Sequence, residues 1–264
     1  MIFSLILSIM NWDGFNPMRF AGIDNFRAVL RDSVFRLSIW RTFVYTMACV
    51  VLTMFTSLGL AVLLNKEIKA KGVFRSAIFF PYVASIVSIA VVWQLLFMKT
   101  PVGPINAFLQ FIGISHPPGW FGTTKWALPG VIIVAVWRYM GYYMIVYLAA
   151  LQDIPRELQE AASIDGASGL QYFWRIALPI LMPATFFVVL MLTINSFKSF
   201  DIIFALTEGG PGTATTLVSN YIYNNAFRDY TNGYGRASAA AMILFLIVGA
   251  ITFFQFRMEK KLSK

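Results

Sequence analysis

This 264-residue chain holds one cysteine, one histidine and only 12% charged residues. Cys49 has no second thiol to meet, so neither a disulfide framework nor a cysteine metal cluster is available, and its place inside an apolar run makes it a packing residue. His116 is the only side chain that titrates near neutrality without perturbation, and in "ISHPPGW" it reads as an exposed loop residue. No G-x-x-x-x-G-K-[ST] pattern occurs, which excludes a P-loop cradle for nucleotide phosphates. There is no HExxH and no nucleophile paired with a base, so metalloenzyme and membrane-hydrolase chemistry are set aside. The glycine-rich "GGPG" and "GYG" follow no strand and open no phosphate-binding helix, and both read as turns. So little charge cannot coat a soluble globule of this length.

What the chain has instead is apolar length: 58% of its residues are hydrophobic. Uncharged windows of at least 18 residues cover 42–64, 76–98, 176–197 and 237–256, and a fifth, 126–151, is interrupted only by Arg138. Each is long enough to cross the hydrocarbon core. None shows strand-like alternation, and a lipid-exposed backbone must satisfy its own hydrogen bonds, so each is expected to be helical. The expected fold class is therefore an all-α integral membrane protein with five full spans. The opening "MIFSLILSIM" resembles the tail of a further, truncated span, at about 1.5 Å per residue half the bilayer depth. It lacks the basic n-region and small-residue cleavage site of a signal peptide. Small residues 237–241 in the last window suit close helix packing.

The net charge of +9 sits in short segments between the windows, where anionic lipid headgroups explain it better than nucleic acid. "NKEIKAKGVFR" carries Lys66, Lys69, Lys71 and Arg75, and the tail "RMEKKLSK" carries Arg257, Lys260, Lys261 and Lys264. Both are expected in the cytoplasm, which by parity puts the segment 152–179 there too and places 11–41, 99–125 and 207–236 outside. Five arginines in 11–41 count against this orientation by number though not by density. Within that segment Ile23, Phe26, Val29 and Leu30 are expected on the apolar face of an interfacial helix, with Asp24, Arg27 and Arg31 opposite.

Polar groups within the windows call for a reason, since an arginine at mid-span costs roughly 2.5–3.5 kcal/mol on the insertion scale. Arg138 lies about 18 Å into its window by helical rise. Trp137, Tyr142 and Tyr143 beside it make an aromatic platform with a donor, fit for sugar rings or an anionic substituent. A structural pairing with a carbonyl or acid of a neighbouring helix stands as the other reading. Asn195, Ser196, Lys198, Ser199 and Asp201 form a second polar cluster, with Asn195 and Ser199 expected on one helix face. Hydroxyls and amides suit a polyhydroxylated ligand, while Lys198 equally suits a snorkelling anchor.

In "LQDIPRELQEAASIDGASGLQYFWRIALP", Asp153 is expected to cap a helix opening near Pro155, Gly166 to turn it, and a second helix to start near Ser168. Glu157, Glu160 and Asp165 face only Arg156 in its first half. On these residues alone, docking to a partner and a self-packed loop both stand open.

The run Glu160-Ala161-Ala162, three residues, Gly166, nine residues, Ile176, one residue, Leu178-Pro179 resembles the EAA loop of permease subunits in binding-protein-dependent ABC importers. "FAGIDNFRAVL", "LLNKEIKAKGVFRSAIFFPYV" and "FKSFDIIFALTEGGPGTATTLVSNYIYNNAF" extend the resemblance to the sugar branch of that family, to the first permease of the maltose and glycerol-3-phosphate type. The resemblance implies a type I ABC importer fold over 42–257, flanked by an outer segment 1–41 and a basic tail 258–264, with cytoplasmic coupling helices at 152–179. It implies that Glu157, Glu160, Ala161, Ala162, Gly166, Ile176, Leu178 and Pro179 dock on an ATPase. It raises Ser196 and Ser199, with Arg138, Tyr142, Asn195 and Lys198, as the substrate pathway. It also offers Thr207, Gly209, Gly210, Pro211 and Gly212 of the "TEGGPGT" turn to an external sugar-binding protein. Partners would be a second, different permease and two ATP-binding cassette subunits that hold ATP and magnesium, the chain itself binding no cofactor. An ion-coupled secondary transporter using Arg138, Lys198 and Asp201 is the alternative, though the interrupted or repeated halves common in such carriers are not evident.

Overall fold

A backbone in lipid has no water to satisfy its N–H and C=O groups, and helix dominates this chain accordingly. The computed structural model describes residues 1–66, 68–98, 103–228 and 233–262. It opens with helix α1 (Ile2–Ser8), an antiparallel ladder of β1 (Met10–Asn11) with β2 (Arg19–Phe20), and α2 (Asp24–Arg31). Then come α3 (Ser33–Asn65), α4 (Lys71–Val83), α5 (Ile86–Leu96), α6 (Pro104–Phe111) and α7 (Ala127–Gln152). The segment α8 (Arg156–Ile164), α9 (Gly169–Tyr172), a π-helical turn (Phe173–Ala177) and α10 (Leu178–Ile180) leads into α11 (Met182–Phe197). The chain continues through α12 (Asp201–Thr207) and α13 (Val218–Arg228) to α14 (Gly233–Leu262). Lys264 of the basic tail, with 99–102 and 229–232 of the outer segments, lies outside the described residues.

Among the described residues three helices, α3, α7 and α14, are each long and apolar enough to cross a membrane, and two broken pairs raise the number of candidate spans to as many as five. The window 76–98 is split between α4 and α5, because Ala84 and Ser85 are extended (ψ 149° and 131°) just after Pro81 has withdrawn a helical donor. The window 176–197 is helical but broken. It bends by 66° at the break after Ile180. Pro179 and Pro183 flank that bend, and the widened π turn just before them absorbs the missing N–H groups.

The described residues divide into two units, and α3, α7 and α11 each contribute to both. One comprises Met1–Met47, Ser85–Val134 and the chain from Ile194 on. Its core gathers Val29, Phe35, Val218, Tyr221, Ala239 and Ala240; of the small residues 237–241, Ala237, Ala239 and Ala240 lie buried and Ser238 and Ala241 half-buried. Tyr221 donates to Asp32 at 2.7 Å and lies tilted against the Phe35 ring, and burial first, then Asp32, pushes its phenol pKa up. On helix α2 the side chains buried within the chain are Asn25 and Val29, while Ile23 and Leu30 are exposed. Asn25 turns inward because its amide donates to the carbonyls of Ser8 (3.0 Å) and Met10 (2.8 Å), which repays burial of a polar side chain.

The other unit comprises Ala48–Ala84 and Ala135–Thr193. Tyr143, Met144, Tyr147, Leu148 and Leu151 form a helical stripe on α7 that packs on Ala61 and Leu64 of α3 and on Leu181, Val188 and Leu192. Helix α4 approaches so closely that a Cβ at Gly141 would collide with the carbonyl of Ile78, and only glycine permits that crossing.

Candidate functional site

Three groups of residues were expected to act, and the first is the hairpin after α7. Asp153 does not cap α8. Its N–H still bonds to the Ala149 carbonyl at 3.1 Å as the last of α7, and Pro155 occupies the cap position without a side-chain bond. The turn itself forms as expected: Gly166 takes φ +73°, and the Ala167 N–H reaches back to the Ala162 carbonyl at 2.9 Å. Ser168 then opens α9 with a capping box, its Oγ accepting from the Gln171 N–H at 3.3 Å while Gln171 Oε1 accepts from the Ser168 N–H at 2.7 Å. Glu157, Glu160, Ala161, Gly166 and Pro179 are exposed, Ile176 and Leu178 half-buried, and Ala162 buried. Among the described residues neither Glu157 nor Glu160 has an ion-pair partner.

Sequence reasoning missed the apolar surface of this hairpin. Ile164 is 86% exposed, Leu170 69% and Trp174 59%. Large apolar residues flanking a glycine turn in a polar stretch were the available signal. Beside them runs a groove of about 1660 Å3 whose lining includes Glu160, Ser163, Tyr172, Lys66, Lys69 and Lys71.

The second group lies in the spans. Nη2 of Arg138 is 3.5 Å from the Tyr82 carbonyl, at the limit of a hydrogen bond, while Nε and Nη1 are buried without an acceptor. Tyr82 stacks on Tyr142 with ring centres 4.5 Å apart, and the guanidinium carbon is 6.0 Å from the Tyr139 ring. Tyr82 and Tyr139 are therefore the platform residues that the sequence did not single out. Tyr143 belongs to the core instead, turned edge-on to Tyr142. Asn195 and Ser199 do not share a helix face, because α11 ends at Phe197 and Ser199 lies beyond it. Asn195 and Lys198 are exposed and Ser196 is buried. Ser199 Oγ meets the Tyr45 hydroxyl at 3.3 Å, and its N–H bonds to the Ser196 carbonyl at 3.1 Å. Arg138 and Tyr142 belong to one unit and 195–199 to the other.

The third group is the turn after α12. Threonine hydroxyls take up part of its backbone. Thr216 Oγ1 donates to the Gly209 carbonyl at 3.1 Å and Thr215 Oγ1 to the Gly210 carbonyl at 2.9 Å. Thr207 and Thr215 pair through their hydroxyls at 2.7 Å. Gly209 is buried at φ +91°, Gly210 and Pro211 are half-buried across a cis peptide bond, and Gly212 is exposed.

Residues 54–264 match the family described as "Binding-protein-dependent transport system inner membrane component". The multiple sugar-binding transport system permease protein MsmF of Streptococcus mutans is 36% identical over 96% of this chain and 86% of its own length. The sn-glycerol-3-phosphate transport system permease protein UgpA of Agrobacterium fabrum is 37% identical over 98% of this chain and 87% of its own. Among solved structures, a chain of a bacterial alginate ABC transporter in complex with a pentasaccharide-bound periplasmic protein superposes with TM-score 0.82 at 25% identity, covering 92% of this chain and 84% of that one. A chain of the MetNI methionine transporter shares the fold alone, with TM-score 0.59 at 17% identity over 88% of this chain and 97% of that one.

Proposed function

Since the chain belongs to the family of binding-protein-dependent transport system inner membrane components, we propose that it forms one half of the pathway of an ATP-driven importer of sugars or related polyols. The other half is a second, different permease, and two ATP-binding cassette subunits supply the energy by binding and hydrolysing magnesium ATP. An external binding protein delivers the cargo at the turn 207–212, where exposed Gly212 offers the contact. The chain is a multi-pass protein of the plasma membrane of a prokaryote. Its spans follow the type I permease plan, five full helices after a short first one. The chain carries out no covalent chemistry.

The observation that carries the reading is the hairpin 156–180, in which an acidic helix and large apolar side chains stand exposed around the Gly166 turn. A surface of this kind fits a helix-in-groove contact with the ATPase. Closure of the ATPase pair on ATP pushes the hairpin, and the bend after Ile180 passes the motion into α11. The cavity then alternates between the two sides of the membrane. Substrate passes Arg138, Tyr142, Asn195, Ser196, Lys198 and Ser199. The relatives compared are binding-protein-dependent or ABC permeases, which speaks against ion coupling.

The test is a complete importer in proteoliposomes. Glu160→Lys should abolish co-purification of the ATPase subunits and ATP-dependent uptake together. Retention of both would defeat the docking assignment. Uptake that survives ATP depletion and collapses with the ion gradient would restore the secondary-transporter reading.

A further inference from the structure

The two relatives described above differ in the charge of the cargo they are named for, and the family does not decide that charge here. Arg138 bears on it. Its guanidinium presents five N–H donors and no acceptor. It sits about 12 residues into α7, at mid-span. Its nearest acceptor, the Tyr82 carbonyl, is 3.5 Å away, and Nε and Nη1 are enclosed with none. A cation held this way in a low-dielectric setting is unfavourable until an anion meets it.

Among the described residues of its own unit no acid pairs with it. The described acids there, Asp153, Glu157, Glu160 and Asp165, all follow the end of α7. Asp153, the nearest in sequence, is 15 residues on, about 22 Å along a helix axis. Around the guanidinium are instead the stacked Tyr82 and Tyr142 and the ring of Tyr139. Aromatic faces take the C–H surface of a sugar ring, and a guanidinium fork matches the paired oxygens of a carboxylate, phosphate or sulfonate.

We propose that the cargo is an acidic sugar or polyol and that Arg138 is the residue that selects its charged group. The inference rests on the reading of Arg138 and Tyr142 as part of the substrate pathway. Nε and Nη1 reach the oxyanion when the guanidinium turns toward it, and that turn relieves two donors that lack acceptors. The tyrosines hold the ring beside it, so charge and ring are read together.

The test uses the assembled permease pair with its ATPases in nanodiscs, without the binding protein, so that the membrane site alone selects. Three probes carry an oxyanion: digalacturonate, glycerol 3-phosphate and glucose 6-sulfonate. Their neutral counterparts are galactobiose, glycerol and glucose. The expected result is that at least one anionic probe binds tenfold or more tighter than its counterpart. Arg138→Gln should erase that preference, a loss of about 10- to 100-fold. Arg138→Lys should keep the sign of the preference but lower it, since the charge remains and the fork is lost. Equal binding of charged and neutral partners by the unmodified protein overturns the proposal, as does Arg138→Gln binding the anion within twofold of it. So does release of the second permease by Arg138→Gln, which would make the arginine an intersubunit contact. In these three cases the importer reading stands. If the complete importer, with binding protein and active ATPases, moves no sugar or polyol of either charge, the proposed function itself fails and this inference with it.

Discussion

The hairpin 156–180 and the turn 207–217 are both short polar excursions between apolar helices, yet they are finished in opposite ways. In the turn, hydroxyls of Thr207, Thr215 and Thr216 take up backbone carbonyls, and Ala214, Thr215, Thr216 and Leu217 are buried. In the hairpin the capping box of Ser168 satisfies the backbone, but Ile164, Leu170 and Trp174 lie open. In the turn the carbonyls of Gly209 and Gly210 are taken up within the chain itself. The hairpin has a settled backbone and an unsettled surface, which is how a segment looks when its free energy is to be completed by another molecule.

The largest effect that would sharpen this contrast is on the hairpin. Ile164→Asp combined with Leu170→Asp should lower ATP-driven uptake more than tenfold while leaving the melting temperature of the isolated chain in detergent unchanged, because neither side chain is buried at home. A drop in melting temperature would mean that the hairpin packs on itself. In the turn the same kind of change should act on stability first. Thr215→Ala removes two hydroxyl contacts and strands the Gly210 carbonyl, so denaturation should show a loss of about 1–3 kcal/mol. Gly209→Ala should cost about 1–2 kcal/mol, because φ +91° disfavours a Cβ that would also stand 2.7 Å from Thr216 Oγ1. Ser168→Ala should cost about 1 kcal/mol of local helix stability, visible as faster amide exchange at 169–172 with little change in global melting.

The smallest effect is electrostatic and lies outside both regions. Asp13 accepts backbone N–H bonds from Asn16 and Phe15, which lower its pKa from 3.8 to about 2. Its support for that turn is present in full above 3.8 and is lost as pH falls through about 2. The turn 207–217 is held by hydroxyls and carbonyls that do not titrate. Amide exchange should therefore rise at Phe15 and Asn16 in that acid window and not at Thr215 or Thr216.

Much of the fold could be read along the chain. The windows 42–64, 126–151 and 237–256 became α3, α7 and α14, since an uncharged apolar run with no other way to satisfy its backbone has only the helix open to it. The Gly166 turn and the helix start at Ser168 were legible for a similar reason, each depending on residues within one turn of itself. What was not legible shares a different cause. Asp153 missed its cap because α7 runs one residue further than its apolar pattern suggested. Asn25 turned inward for two carbonyls 15 and 17 residues away. Tyr82 joined Tyr142 across 60 residues, and threonine hydroxyls took up the carbonyls of Gly209 and Gly210.

By itself the sequence determined where lipid-compatible helices lie, where the chain must leave them, and which segment is too polar to stay inside, because these follow from local hydrogen bonding and transfer free energy. Tertiary structure alone decided which tyrosines surround Arg138, which donors it leaves without acceptors, and how near α4 comes to Gly141. Those outcomes depend on the faces that separate helices turn toward one another, and a helical period does not specify its neighbour.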